Sequence, residues 1–223
     1  MASFSRLNGL IRAMENGGIA FSAFVPMDIN SAQAMAASKF DGIVYEGEHS
    51  PWDIVALGHC LQYMLDRRQI ADSGSIAAPV TPLARVPVNG IEMGQWHAKQ
   101  ALDTGTYGIV WPHISTVEEA YNAVAACRYP RLESAPLYEP RGIRGDGPVR
   151  ACRYWGLTQQ EYYTKADVWP LALDGEILQA GIGNPGSIDL DIATSLGDGH
   201  EGEHRDQDHC GVSDVGKTPH PGF

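Results

Sequence analysis

The sequence predicts an α/β fold on a parallel sheet. Two observations carry this. Short apolar runs alternate with helical periodicities four times in succession, and parallel strands require such crossover helices. Polar, chemistry-bearing residues then recur at the C-terminal ends of those runs, where parallel barrels place their sites.

Taken in order, a lead helix over Ser5–Glu15 puts Leu7, Leu10, Ile11 and Met14 on one face, and Gly17-Gly18 ends it. Ile19–Val25 reads as a buried strand, followed by a short helix near Ser31–Ser38. Ile43-Val44-Tyr45 is the second strand, and Trp52–Ile70 the second helix, with Ile54, Leu57, Cys60, Leu61, Met64 and Leu65 as its core stripe. Leu83–Val88 and Met93–Leu102 form the third pair. Tyr107–Trp111 is the fourth strand, and Thr116 with Glu119 opens the fourth helix as a capping box. Residues 130–157 hold Pro130, Pro136, Pro140 and Pro148 among several arginines and read as one long connection, with room to reach an acidic substrate tail. A second capping box, Thr158 with Glu161, starts a helix to Asp167, and Val168–Leu173 is the candidate fifth strand. Trp96 and Trp155 are expected to be packing residues.

Charge divides the chain. Residues 1–173 carry 17 acids against 14 bases, whereas residues 174–223 carry 10 acids against 2 bases and 10 of the 25 glycines. The expected organisation is a barrel domain over residues 1–197 and a poorly packed acidic tail over 198–223. A net charge of -11 opposes nucleic-acid binding. No apolar run reaches the roughly 20 residues of a membrane span, and no secretory pattern opens the chain. Cys60, Cys127, Cys152 and Cys210 show no paired spacing, so a reduced, cytoplasmic chain is expected. In the tail, His200 and His204 are spaced for one helix face, with His209 and Cys210 nearby, but the surrounding glycines favour a solvated loop over a zinc site.

The second strand runs into Glu46-Gly47-Glu48-His49, the third carries Arg85, and the fourth ends at Trp111-Pro112-His113. Acid, imidazole and guanidinium thus converge on one rim. The lysines, Lys39, Lys99, Lys165 and Lys217, fall on helices or loops, which disfavours a Schiff-base mechanism that needs a buried strand lysine.

These residues carry a family resemblance. Asp41 to Pro51, with Glu46-Gly47-Glu48-His49-Ser50-Pro51 at its centre, resembles the "D-hydrophobic-D-G-E-H-x-P" signature of the HpcH/HpaI aldolase family. Pro82-Leu83-Ala84-Arg85-Val86-Pro87 is similar to the family's arginine strand. Gln100 to Gly105 matches the helix after it, and Arg128-Tyr129-Pro130 with Arg141-Gly142-Ile143-Arg144-Gly145 the loop beyond. The likeness runs from about residue 5 to about residue 175, with an echo near Asp191.

The resemblance implies a TIM-type (β/α)8 barrel of the phosphoenolpyruvate/pyruvate-binding kind, incomplete after the fifth strand. It also implies a divalent-metal aldehyde-lyase that cleaves a 4-hydroxy-2-oxo acid to pyruvate and an aldehyde, acting as a homo-oligomer. It assigns His49 as general acid/base, Arg85 to the 2-oxo oxygen and enolate, and Asp103 to orient His49 in a dyad. Glu46 stands where the family usually has Asp, and Glu48 would touch metal-bound water. The metal, Mg²⁺, Mn²⁺ or Co²⁺, would take Asp191, or Asp189 in another register; no glutamate-bearing strand is read between Leu178 and Asp191, and Glu176 is the nearest substitute. Oxaloacetate decarboxylation, or a degenerate non-catalytic barrel, are the alternatives.

Overall fold

In the computed structural model, the residues described are 6–87 and 92–182. The first unit begins with α1 (Gly9–Glu15), followed by β1 (Ser22–Val25) and α2 (Ile29–Ala36). Next come β2 (Gly42–Glu46), α3 (Ile54–Tyr63) and α4 (Arg67–Ser73). Then come β3 (Thr81–Arg85), α5 (Gln95–Thr104), β4 (Gly108–Pro112) and α6 (Val117–Cys127). The chain continues through α7 (Val149–Trp155), α8 (Gln159–Lys165), β5 (Val168–Trp169) and β6 (Ile177–Ile182). All strand pairs are parallel, in the order β1-β2-β3-β4-β6-β5. This is an arc of a (β/α) barrel with its helices on the outside. None of the described helices is long and apolar enough to cross a membrane.

Local chemistry sets the boundaries. Both capping boxes form, Thr116 with Glu119 and Thr158 with Glu161. The predicted helix over Trp52–Ile70 is two helices, because two aspartates each start one. Asp53 accepts from the Val55 and Ala56 N–H groups, and Asp66 from those of Arg68 and Gln69. The apolar stripe was real, but it ends at Leu65 and the chain turns there. The long connection after α6 is interrupted by α7, whose Trp155 is fully buried, stacks on Tyr107 at 4.2 Å and donates to the Gly105 carbonyl at 2.9 Å. Trp155 is thus the packing residue expected, whereas Trp96 is 53% exposed and lies against His97 at the start of α5.

The fifth strand position is the main correction. Val168–Trp169 is only two residues long and lies outside Ile177–Ile182, which pairs directly with β4. Gly108 makes this possible, since a Cβ there would sit 2.1 Å from the Leu178 carbonyl oxygen. Residues 177–182 therefore form the strand that the glycines and mixed pattern concealed.

The outer face of the sheet (Ile43, Tyr45, Ala84, Ile109 and Trp111) is buried in one apolar cluster with Leu57, Leu61, Ala98, Leu102, Ala123 and Val124 from the helices. The described cysteines, Cys60, Cys127 and Cys152, are buried and free, as their spacing suggested.

At the N-terminal end of the strands, α1 is pinned by Glu176. Its carboxylate accepts from the Asn8 N–H at 2.8 Å and the Leu7 N–H at 3.2 Å, and Asn8 Nδ2 returns a bond to the Glu176 carbonyl at 3.0 Å. Glu176 is thus a structural clamp at the end of the sheet opposite the strand-end rim, and not a substitute metal ligand there. Burial lifts its pKa above the ordinary value despite the Asn8 and Leu7 N–H groups and Arg6. Protonation is therefore favoured more in the folded than in the unfolded chain. Its contribution is complete below the ordinary carboxylate pKa and is lost as pH rises through the folded value. Glu176→Gln, neutral throughout, should flatten the decline in urea midpoint over this range, and an unchanged slope would count against the assignment.

Candidate active site

Strands β2 and β3 are in register so that Glu46 stands beside Arg85, and Phe24 of β1, paired with Val44, shares their face. The Arg85 guanidinium lies 4.5 Å over the Phe24 ring. Its Nε donates to Glu46 Oε1 at 3.1 Å, Nη2 pairs with Glu46 Oε2, and Nη1 lies 3.0 Å from Glu48 Oε2. An aromatic face below and two carboxylates at the sides fix the plane of the fork, leaving N–H donors on both terminal nitrogens for a further oxygen.

Glu46 is itself locked. Its Oε1 also accepts from the Glu48 N–H at 2.7 Å and the His49 N–H at 3.1 Å. Burial works against its charge, but the Arg85 bond and the His49 and Glu48 N–H groups outweigh it and hold its pKa below the ordinary carboxylate value. It remains an anion and a backbone organiser at neutral pH. Gly47 permits the tight turn: a Cβ there would lie 2.5 Å from both the Arg85 carbonyl oxygen and the Trp52 ring. The turn then throws His49 outward, where its side chain is 72% exposed and its Nε2 lies 3.5 Å from Glu48 Oε2.

His113 joins from β4. It sits just after Pro112 with a left-handed φ of 53°, and its Nε2 lies 3.5 Å from Glu48 Oε1. Glu48 therefore stands between two imidazoles and a guanidinium. A non-glycine residue in this backbone region is a strained placement of the sort found at functional sites. The sequence placed His113 on the rim without giving it a role, and the contribution of Phe24 went unread, although its position in the β1 alternation was the available signal.

Asp103 does not join this group. Helix α5 runs back from the rim, so its last turn lies at the opposite end of the sheet, where Asp103 accepts from Arg144 Nη2 at 2.8 Å. The expected His49–Asp103 dyad is replaced by an Asp103–Arg144 pair. Arg128 at the end of α6 and Arg144 of the loop also serve this lower end, where Arg144 Nη2 donates to the Tyr162 hydroxyl at 2.9 Å. They hold the fold and do not reach toward a substrate at the rim. Among the described residues no lysine lies on a strand, in keeping with the sequence reading.

Asp189 and Asp191, the candidate metal ligands, and the tail residues His200, His204, His209 and Cys210 lie outside the described residues. Among the described residues no group of three or more His, Cys, Asp or Glu side chains could hold a metal ion. The oxygens of Glu46 and Glu48 face Arg85, backbone N–H groups and the two imidazoles. The described residues therefore do not fit a cation by themselves.

No family model matches the chain. It is 34% identical over 137 residues to a 5-keto-4-deoxy-D-glucarate aldolase of Escherichia fergusonii, a stretch covering 61% of this chain and 44% of that protein. It is 32% identical over 153 residues to a 4-hydroxy-2-oxovalerate aldolase of Rhodococcus jostii, covering 68% and 50% respectively. Among solved structures, an HpcH/HpaI aldolase/citrate lyase family protein from Burkholderia cenocepacia superposes with a TM-score of 0.56 at 25% identity, over 78% of this chain and 58% of that one. The chain is related to the HpcH/HpaI aldolases. An HpcH/HpaI aldolase from Desulfitobacterium hafniense, at 18% identity and a TM-score of 0.53 over 77% of this chain and 55% of that one, shares the fold. This HpcH/HpaI relative spans about half the length of the curated aldolases it matches.

Proposed function

We propose that the chain carries the enolate-forming half-site of an aldolase that cleaves a 4-hydroxy-2-oxo acid to pyruvate and an aldehyde. The observation that carries this reading is Arg85, clamped between Glu46 and Glu48 over Phe24 with donors to spare, beside the exposed imidazole of His49.

In the proposed reaction the 2-oxo oxygen sits against the Arg85 fork. His49 takes the proton of the C4 hydroxyl, C4 becomes the aldehyde carbonyl, and the C3–C4 bond breaks. Its electron pair moves into the enolate, whose charge collects on the oxygen facing Arg85. A proton delivered to C3 completes pyruvate. Pre-oriented positive charge at the developing oxyanion and a base for one proton are the two requirements of this cleavage. Glu46 anchors Arg85 and the turn bearing His49, and Glu48 balances the charge between them. The resemblance also implies a divalent metal, but no step here is routed through one.

A lactate-dehydrogenase-coupled assay over several 4-hydroxy-2-oxo acids, with and without Mn²⁺ or Mg²⁺, tests the proposal. Pyruvate release supports it, and no pyruvate from any of them under either condition overturns it. Release of pyruvate from oxaloacetate alone would instead favour decarboxylation. In the active protein, His49→Ala should lower turnover by about 10²–10⁴-fold with the fold unchanged, the usual range for a general acid/base. Turnover within a few-fold of the parent would remove His49 from that role.

A further inference from the structure

We propose a second binding site, for a multivalent oxyanion of the phosphate kind, in the groove between α3 and α7. The groove encloses about 360 Å³, and His59 and Gln62 of α3, Arg150 and Arg153 of α7, and Thr104 line it. Each helix contributes a pair three residues apart, which places both members on one face. Gly58 lines the groove next to Thr104 and adds no side chain to fill it.

The charge pattern points to the ligand. Arg6, Arg68, Arg85, Arg128, Arg131 and Arg144 all meet carboxylates. Arg150 and Arg153 form no ion pair or side-chain hydrogen bond among the described residues; Arg12, Arg67 and Arg141 also lack an ion pair, but Arg67 shares its groove with Asp66, whereas no acidic side chain lines the groove of Arg150 and Arg153. In a chain of net charge -11, two arginines lining one groove without a counter-charge make a local positive focus. Guanidinium forks recognise oxyanions through paired charge-assisted hydrogen bonds, and two of them require a ligand with several anionic oxygens. His59 and Gln62 add donors from the facing helix. Thr104 closes α5 at the end of the sheet away from Arg85, so this site is separate from the rim and independent of the reaction proposed there.

Isothermal titration of the whole chain with sodium pyrophosphate at about 0.15 M ionic strength, where charges more than about 8 Å apart are largely screened, tests the inference. Saturable one-to-one binding is expected, weakened at least about tenfold in Arg150→Gln/Arg153→Gln, as the loss of charge-assisted bonds requires. Arg67→Gln/Arg68→Gln is the control. It removes the same charge from a larger groove, where Asp66 is also present and Arg68 already pairs with Asp72. This control should bind within about twofold of the parent, because neither arginine lines the groove and the salt screens charge outside it. Circular dichroism confirms that both exposed double variants keep their fold. Absence of saturable binding, an equal loss in the two double variants, or succinate binding as tightly as pyrophosphate would each overturn the proposal.

Discussion

Arg85→Lys should lower kcat/KM for retro-aldol cleavage by about 10²–10³-fold, the loss seen when one pre-oriented donor is taken from an oxyanion site. This corresponds to about 2.7–4 kcal/mol of transition-state stabilisation. The substitution keeps the positive charge, so the expected loss is one of geometry. Arg85 reaches Glu46 through Nε and Nη2 and Glu48 through Nη1, while its plane lies over Phe24. An ammonium at the end of a flexible stem cannot hold three such directions at once and still present a donor to a substrate oxygen. Because the interaction strengthens as charge moves onto that oxygen, kcat should fall more than KM rises. Near-parental kinetics in a folded Arg85→Lys protein would remove Arg85 from the enolate role.

The rim was legible because consecutive parallel strands carry their functional residues at equivalent heights. Glu46 ends β2, Arg85 ends β3, and the register sets them side by side. Apolar runs gave the strands, although the third was expected to run to Val88 and ends at Arg85, and the C-terminal parts of the strands gave the site. Strand-end reading did not supply Asp103; the resemblance implied it beside His49, and the returning helix carries it to the other end of the barrel. The sequence pattern missed residues 177–182, whose glycine and small side chains give no alternation; pairing with β4 along the surface opened by Gly108 decides that strand. A two-residue β5 outside it shows the converse, an apolar run that tertiary packing trims. The arginine-rich loop misled for a related reason. Arginine type does not distinguish recognition from a buried clamp, and only the carbonyls and carboxylates around each side chain do.

Arg128 is the strongest of those clamps, and Arg128→Met should destabilise the fold by about 3–5 kcal/mol, the range for breaking one side of a buried ion pair. The side chain is 1% exposed. Its Nε and Nη2 hold both oxygens of Asp167 at 2.7 and 3.2 Å, while Nη1 and Nη2 donate to the carbonyls of Pro140 and Leu137 at 2.8 and 2.7 Å. It thereby ties the end of α6 to the long connection and to the residue that precedes β5. Methionine fills much of the volume but leaves two carbonyls without these donors and a buried carboxylate with less compensation. Arg131 still reaches Asp167 from the surface, so a value near the lower end is expected. Urea unfolding followed by circular dichroism measures the loss. Arg128→Met/Asp167→Leu should regain part of it, because removing both charges ends the cost of burying one alone. A loss below about 1 kcal/mol in the single variant, typical of an exposed pair, would show that this cluster is not the lock that the geometry describes.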